Sequence, residues 1–432
     1  MRQNARKLML CALCTALPLI VLVASFAAAE AWLIQIRVTT FSSPYRTSRE
    51  PHVSADGSRI VFSSDSDFLA EGLPGGQFEL WLHDTRTLNF TRLTTTSHTG
   101  RVSLSPSLNA NGTHVVFESD SDLRGQGILS GQFEIWLFNT ATMTLTRITT
   151  ASEISRESHK PSINADGTKI VFESDSDFLG QGIPDDQFEI WLYDTTALKL
   201  TRITTASLPD RSSLDPVISA DGTRIAFESD SDFLQQGLPR NPNELWLFDT
   251  ATLTYTRLTN ASHSNRRSID PTISSDGTRI AFGSDSDLRS QGIISGQYEI
   301  WLFDTTTVTL TRITTSSNPL ERRSQYAEIS GDGTRIVFDS DSDFLNQGIP
   351  DTLREVWLYD LTTMTLTRIT KSRPYATSRD SQFPSIDADG NSIVFQSDSS
   401  FNLPVTLPDN QYEVWLFKAP VSSLYLPVIR RN

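Results

Sequence analysis

The chain has 432 residues, 37 Lys and Arg against 51 Asp and Glu, a net charge of −14, and 38% apolar residues. That is enough apolar sequence for a large core, and the acidity argues against nucleic acid or anionic lipid as partners. Cys11 and Cys14 are the only cysteines, so neither a disulfide framework nor thiol chemistry is available beyond the N-terminal segment.

Residues 1–29 differ from everything that follows. Arg2, Arg6 and Lys7 precede an apolar run from Leu8 to Ala29 that ends in three alanines. Basic start, apolar stretch and small-residue end describe a cleaved export signal. The run is also long enough to serve as an uncleaved membrane anchor. Either way the rest of the chain is expected outside the cytoplasm, as a secreted, periplasmic or cell-surface protein.

Ile34 to Thr40, reading IQIRVTT, looks isolated until it is set beside Leu200-Thr-Arg-Ile-Thr-Thr205. Between them, and again to Phe417, one sentence is repeated seven times. The third copy, Pro161 to Thr204, reads PSINADGTKIVFESDSDFLGQGIPDDQFEIWLYDTTALKLTRIT. Its turn recurs at Asp56, Asn111, Asp166, Asp221, Asp276, Asp332 and Asp389. Its tryptophan recurs at Trp81, Trp136, Trp191, Trp246, Trp301, Trp357 and Trp415. A fixed period of this size denotes a repeat architecture.

Each copy predicts four strands. A short run ends at Asp166-Gly167, a turn pair that tolerates positive φ. Lys169–Glu173 and Glu189–Tyr193 are rich in β-branched and aromatic residues. Leu198–Ile203 is the fourth strand. Both faces of the third strand are apolar apart from Glu189, so both must be covered by neighbouring sheets. Seven four-stranded antiparallel sheets in a ring, an all-β seven-bladed β-propeller over 34–417, satisfy this and leave only short edges. The last copy lacks a fourth strand and the first segment is a fourth strand without a blade. The N-terminal strand is therefore expected to close the ring. The tail, 418–432, either competes for that place or packs beneath the ring.

Pro216 to Phe227, Pro-x-x-Ser-x-Asp-Gly-Thr-x-Ile-Ala-Phe, resembles the WD-repeat-like propeller repeats of the TolB type. Glu-Ile-Trp-Leu-x-Asp and Thr-Arg-Ile-Thr match the third and fourth strands of those repeats. The copies here are longer between strands two and three. A longer extracellular subgroup carries Asp-Thr-Asn in that loop, where this chain has Ile183-Pro-Asp185, so that triplet's role does not carry over. The resemblance implies an exported, non-catalytic binding or scaffold module.

Two sets of repeated polar residues could carry chemistry. Arg-x-Ser precedes each first strand, at Arg46, Arg101, Arg156, Arg211, Arg266, Arg322 and Arg379. A glutamate opens each third strand, at Glu79, Glu134, Glu189, Glu244, Glu299, Glu355 and Glu413. Ser-Asp-Ser-Asp follows strand two and shares a face of the disc with the arginines. These sets are expected to form an inter-blade network beneath a binding face built of the loops between strands two and three. Asp175 or Asp177 is expected to pair with Arg156 or Arg211. The competing reading of the acidic pairs is calcium, with Asp120, Asp122, Asp175, Asp177, Asp230 and Asp232 as ligands; otherwise no cofactor is expected. A third reading, a propeller-type carbohydrate-active lyase or hydrolase, has no recognisable catalytic motif to rest on. The partner is expected to be a protein or polysaccharide and the chain a monomer, with membrane contact only through a retained N-terminal segment.

Overall fold

The computed structural model describes residues 34–40 and 45–419, apart from 97, 99, 152, 154, 207, 209, 239–242, 262–265, 317–321, 351–352, 372–378, 400 and 402–410. The export segment and the C-terminal tail lie outside the described residues. Seven separate four-stranded antiparallel sheets are present, and no helix occurs among the described residues. Blade three shows the pattern: Ser158–Ile163, Lys169–Ser174, Glu189–Asp194 and Lys199–Arg202, in that spatial order. The Asp166 carboxylate accepts the Thr168 amide at 2.8 Å while Gly167 takes φ +78°, the positive value the turn demands.

Blade seven is assembled from both ends of the chain. Ser381–Ile386, Ser392–Ser397 and Glu413–Lys418 are completed by Ile34–Arg37, which pairs antiparallel with Glu413–Lys418 in the register Ile34 to Lys418 and Arg37 to Trp415. Beyond the ladder, Val38 donates its amide to Val414 O at 2.9 Å, and the Arg37 guanidinium bonds both oxygens of Glu413. The expected closure is therefore present, with the same side-chain pair that other blades form internally.

The core lies between blades. Val61, Leu80 and Leu93 of blade one pack with Leu108, Phe117 and Trp136 of blade two, and clusters of the same composition fill the other six interfaces. Six of the seven repeated tryptophans are fully buried and Trp415 is 2% exposed. The loop phenylalanines Phe68, Phe178, Phe233 and Phe344 stand edge-on to the tryptophan of their own blade, with centroids 5.0–5.1 Å apart. They are plugs, as their apolar character between charged residues suggests, whereas the following Leu69, Leu179, Leu234 and Leu345 stay exposed.

Neighbouring blades are joined by backbone at both ends of the inner strand. At its start, the serine of each Arg-x-Ser donates its amide to the preceding blade, as in Ser158 N to Phe133 O (2.9 Å) and Ser48 N to Tyr412 O (2.8 Å). Beyond its end, Ala55, Ala110, Ala165, Ala220, Ser275, Gly331 and Ala388 form a closed hoop. Each amide reaches the next blade's carbonyl at 2.9–3.1 Å, with Asp332 N substituting for Gly331 N. Close backbone approach requires small residues here. A Cβ on Gly331 would lie 2.7 Å from Ser275 Oγ and 2.9 Å from Ala388 Cβ.

Candidate functional site

The repeated arginines do not pair with the repeated aspartates, and this corrects the expectation. Arg211 bonds the backbone carbonyls of Asp230 and Leu238, the latter at 3.2 Å. Arg156 likewise bonds Asp175 O, Ile183 O (3.0 Å) and Pro184 O (3.2 Å), and its one carboxylate partner is Asp185 at 2.6 Å. Arg46, Arg101, Arg266, Arg322 and Arg379 reach the corresponding carbonyls of their own blades. The physical reason is that the long loop between strands two and three turns its carbonyls inward. A guanidinium with five donors satisfies several of them at once.

The aspartates are occupied by backbone amides. Asp175 accepts Glu157 N at 2.8 Å, while Asp177 accepts Gln181 N and Gly182 N, both at 2.7 Å. Asp120 and Asp122, and Asp230 and Asp232, repeat the arrangement. No group of three or more metal-ligating side chains converges among the described residues.

The strand-three glutamates form a separate, fully buried set. Glu189 accepts Arg202 at 2.6 Å, Thr204 Oγ1 at 2.5 Å and Ala206 N at 2.8 Å. Glu134, Glu244, Glu299 and Glu355 pair with Arg147, Arg257, Arg312 and Arg368 of strand four. Glu413 takes Arg37, and Glu79 is held by Thr94, Thr96 and Gln77 instead. These pairs lock strand four to strand three inside one blade; they do not join adjacent blades as expected. Neither set is presented to a ligand as a cluster of free side chains.

A different set of residues was missed. At the third position of strand one the copies diverge, with six residue types in seven blades: Glu50, Ser105, Lys160, Asp215, Asp270, Tyr326 and Phe383. All seven have φ between +48° and +51°, at a register shift in the ladder to strand two. A bulge of this kind re-aims side chains, and here it turns them into the central channel. The cavity they line is about 470 Å³, the size of a small-molecule site. For non-glycine residues this backbone region costs about 1–2 kcal/mol each, a strain stored seven times along one wall.

The bulge frees an amide, and the neighbouring blade satisfies it. Glu118 accepts Lys160 N (2.8 Å), Glu173 accepts Asp215 N (2.6 Å), Asp339 accepts Phe383 N (3.2 Å) and Gln396 accepts Glu50 N (3.0 Å). These acceptors occupy the fifth position of strand two, which also diverges: Ser63, Glu118, Glu173, Glu228, Gly283, Asp339 and Gln396. The residue before strand three varies with them, giving Asn243, which donates to Glu228 at 2.9 Å, and Arg354, 3.1 Å from Asp339.

The electrostatics of this wall are severe. Burial, and then the Asp215 charge, push Glu173 up to about 8. Burial, and a hydrogen bond that protonated Glu228 donates to Asp215, hold Glu228 well above the usual carboxylate range. Burial lifts Asp339 to about 7, and burial with the Asp215 charge lifts Asp270 to about 6. Deeper in, burial lifts Glu328 to about 8 and lowers His52, 3.9 Å away, to about 4. Besides Arg354, which faces Asp339, two cations oppose the acids. Burial alone would lower His159, but its bonds to Glu118 and Glu157 raise it to about 9. Lys160, 3.7 Å from Asp215, has its burial penalty outweighed by Asp215, Glu118 and Asp270. The signal was in the sequence: these are the positions where near-identical copies disagree.

No protein-family model matches the chain, and no curated protein matches it in sequence. Solved structures share the fold. An oligogalacturonate lyase in complex with manganese aligns at TM-score 0.58 and 16% identity, covering 90% of this chain and 93% of its own. An acylaminoacyl peptidase from Pyrococcus horikoshii aligns at TM-score 0.52 and 12% identity, with 86% of this chain and 52% of that one covered. TolB from Acinetobacter baumannii aligns at TM-score 0.45 and 16% identity, with coverages of 85% and 70%. At such identities the likeness is one of fold alone.

Proposed function

We propose that the chain is an exported, non-catalytic binding module whose ligand enters the central channel from the loop face. The observation that carries this reading is where the seven copies diverge. Outside the channel they are held nearly alike by packing and by the buried Arg–Glu pairs. At the channel they differ in charge, size and aromaticity. A solvent-facing position left to drift would collect small, well-hydrated residues. It would not gather carboxyls where burial and mutual repulsion raise their pKa values.

The resemblance of the repeats to the TolB type supports a partner-binding role. The wall chemistry weighs against the activity of the lyase neighbour: an oligogalacturonate is a polyanion, and Glu50, Asp215 and Asp270 line this cavity against one lysine. The test is affinity capture from the native envelope or medium with the wild-type chain and with a Glu50→Gln/Asp270→Asn/Phe383→Ala variant. Loss of a captured ligand at unchanged melting temperature supports the reading. Identical capture by both chains overturns it.

A further inference from the structure

The channel wall is not uniformly acidic, and its order round the ring is specific. Asp215 and Asp270 stand on consecutive inner strands, followed by Tyr326 and Phe383 on the next two. Lys160 precedes them and is bound to Asp215 at 3.7 Å, which leaves that carboxylate partly engaged. Asp270 makes no hydrogen bond and no ion pair among the described residues, and the Tyr326 hydroxyl makes no hydrogen bond there. The two rings lie 4.2 Å apart at 38°, both only half-buried, and both line the cavity. Lys160, Asp270, Tyr326 and Phe383 all line this one cavity.

A carboxylate without a hydrogen-bonding partner, lining the same cavity as a pair of half-buried aromatic rings on the next two inner strands, is the arrangement that recognises an organic cation. The carboxylate supplies charge and accepts hydrogen bonds, and the rings supply their negative faces and an apolar surface for the attached chain. We propose that the channel binds a primary ammonium group carried on an aliphatic chain, seated between Asp270 and the Tyr326–Phe383 pair. Lys160 is the resident cation of the same wall and competes with the ligand for the acids. This assignment rests on the channel being the binding site and names the chemistry it takes.

Isothermal titration calorimetry of the full chain at low salt with 1,5-diaminopentane tests it, with 1,5-pentanediol as the neutral isostere and trigalacturonate as the anion. Binding of the diamine is expected, at least tenfold tighter than the diol. Asp270→Asn should weaken it about tenfold or more, and Phe383→Ala about threefold to tenfold. Lys160→Met should strengthen it, a gain that no loss of folding can mimic. Melting curves of each variant separate lost binding from lost fold. Equal binding of diamine and diol, or diamine binding unchanged in Asp270→Asn, overturns the proposal. If instead the diol or trigalacturonate binds and the same variants abolish it, the channel remains the site and only the cationic ligand class falls. If affinity capture is also unchanged by channel variants, the channel reading falls with it.

Discussion

The rim and the channel wall are built from the same seven repeats and solve opposite problems. On the rim the repeated arginines, aspartates and glutamates find partners within the chain: guanidinium to carbonyl, carboxylate to amide, Glu189 to Arg202. On the wall the residues vary round the ring, the backbone is held at positive φ, and acids crowd one another. A charge that has its partners in every copy stabilises the blade. A charge that lacks them in one copy costs stability. Repetition of a polar residue in a propeller is therefore a sign of structure, and its breakdown in register is the better sign of a site.

The largest expected effect tests the frame itself. Deleting residues 34–40 removes the fourth strand of blade seven, exposes the edge Glu413–Lys418 and leaves the buried Glu413 without Arg37. Unpairing the buried glutamate alone should cost about 3–5 kcal/mol, with the ladder bonds added. Calorimetry should find global loss of the cooperative transition, and an unchanged transition would transfer the closing role to the C-terminal tail. Next, Trp191→Ala empties a fully buried site between two blades and should cost about 3–5 kcal/mol in denaturant titration.

Within the rim the two arginine sets should separate. Arg202→Ala strands the buried Glu189 and should cost about 3–5 kcal/mol. Arg211→Ala leaves only neutral carbonyls and should cost about 1–3 kcal/mol. Equal losses would mean that the repeated arginines form one network after all.

The wall should show itself in pH dependence. Asp339 and Glu328 titrate near 7 and 8 in the folded chain, against about 4 when unfolded. The folded state therefore holds more protons between those values. The stability they contribute is fully present below pH 4 and is lost as pH rises through 7 to 8. His159, raised to about 9, has the same sign: its contribution is present below about pH 6.5 and is lost as pH rises through 9. His52, lowered to about 4, acts oppositely: its contribution is present above about pH 6.5 and is lost as pH falls through 4. Glu328 is partly open to channel water, which reduces its share. The melting temperature should be higher at pH 5.5 than at pH 8.5, by a few degrees. A steady rise across that range would contradict the strained-wall account. The smallest effect is expected from Asp270→Asn, which should leave stability unchanged or slightly raised, because the carboxylate it removes has no hydrogen-bonding partner to lose.

What the sequence determined by itself is the architecture. The 55-residue period, the Asp-Gly turns, the two-sided apolar third strand and the orphan Ile34–Thr40 admit one closed arrangement. Each is a local or repeating pattern whose physical meaning does not depend on distant contacts. The partners of the polar residues were decided only in three dimensions. Arg156 and Asp175 lie close, but whether a guanidinium meets a carboxylate or the carbonyl of the same residue depends on how a loop folds back. The channel wall needed tertiary structure for a second reason. Glu50, Lys160, Asp215, Asp270, Tyr326 and Phe383 are spread over more than three hundred residues. A bulge in each inner strand and the closing of the ring bring them to one wall, and burial there sets their charges.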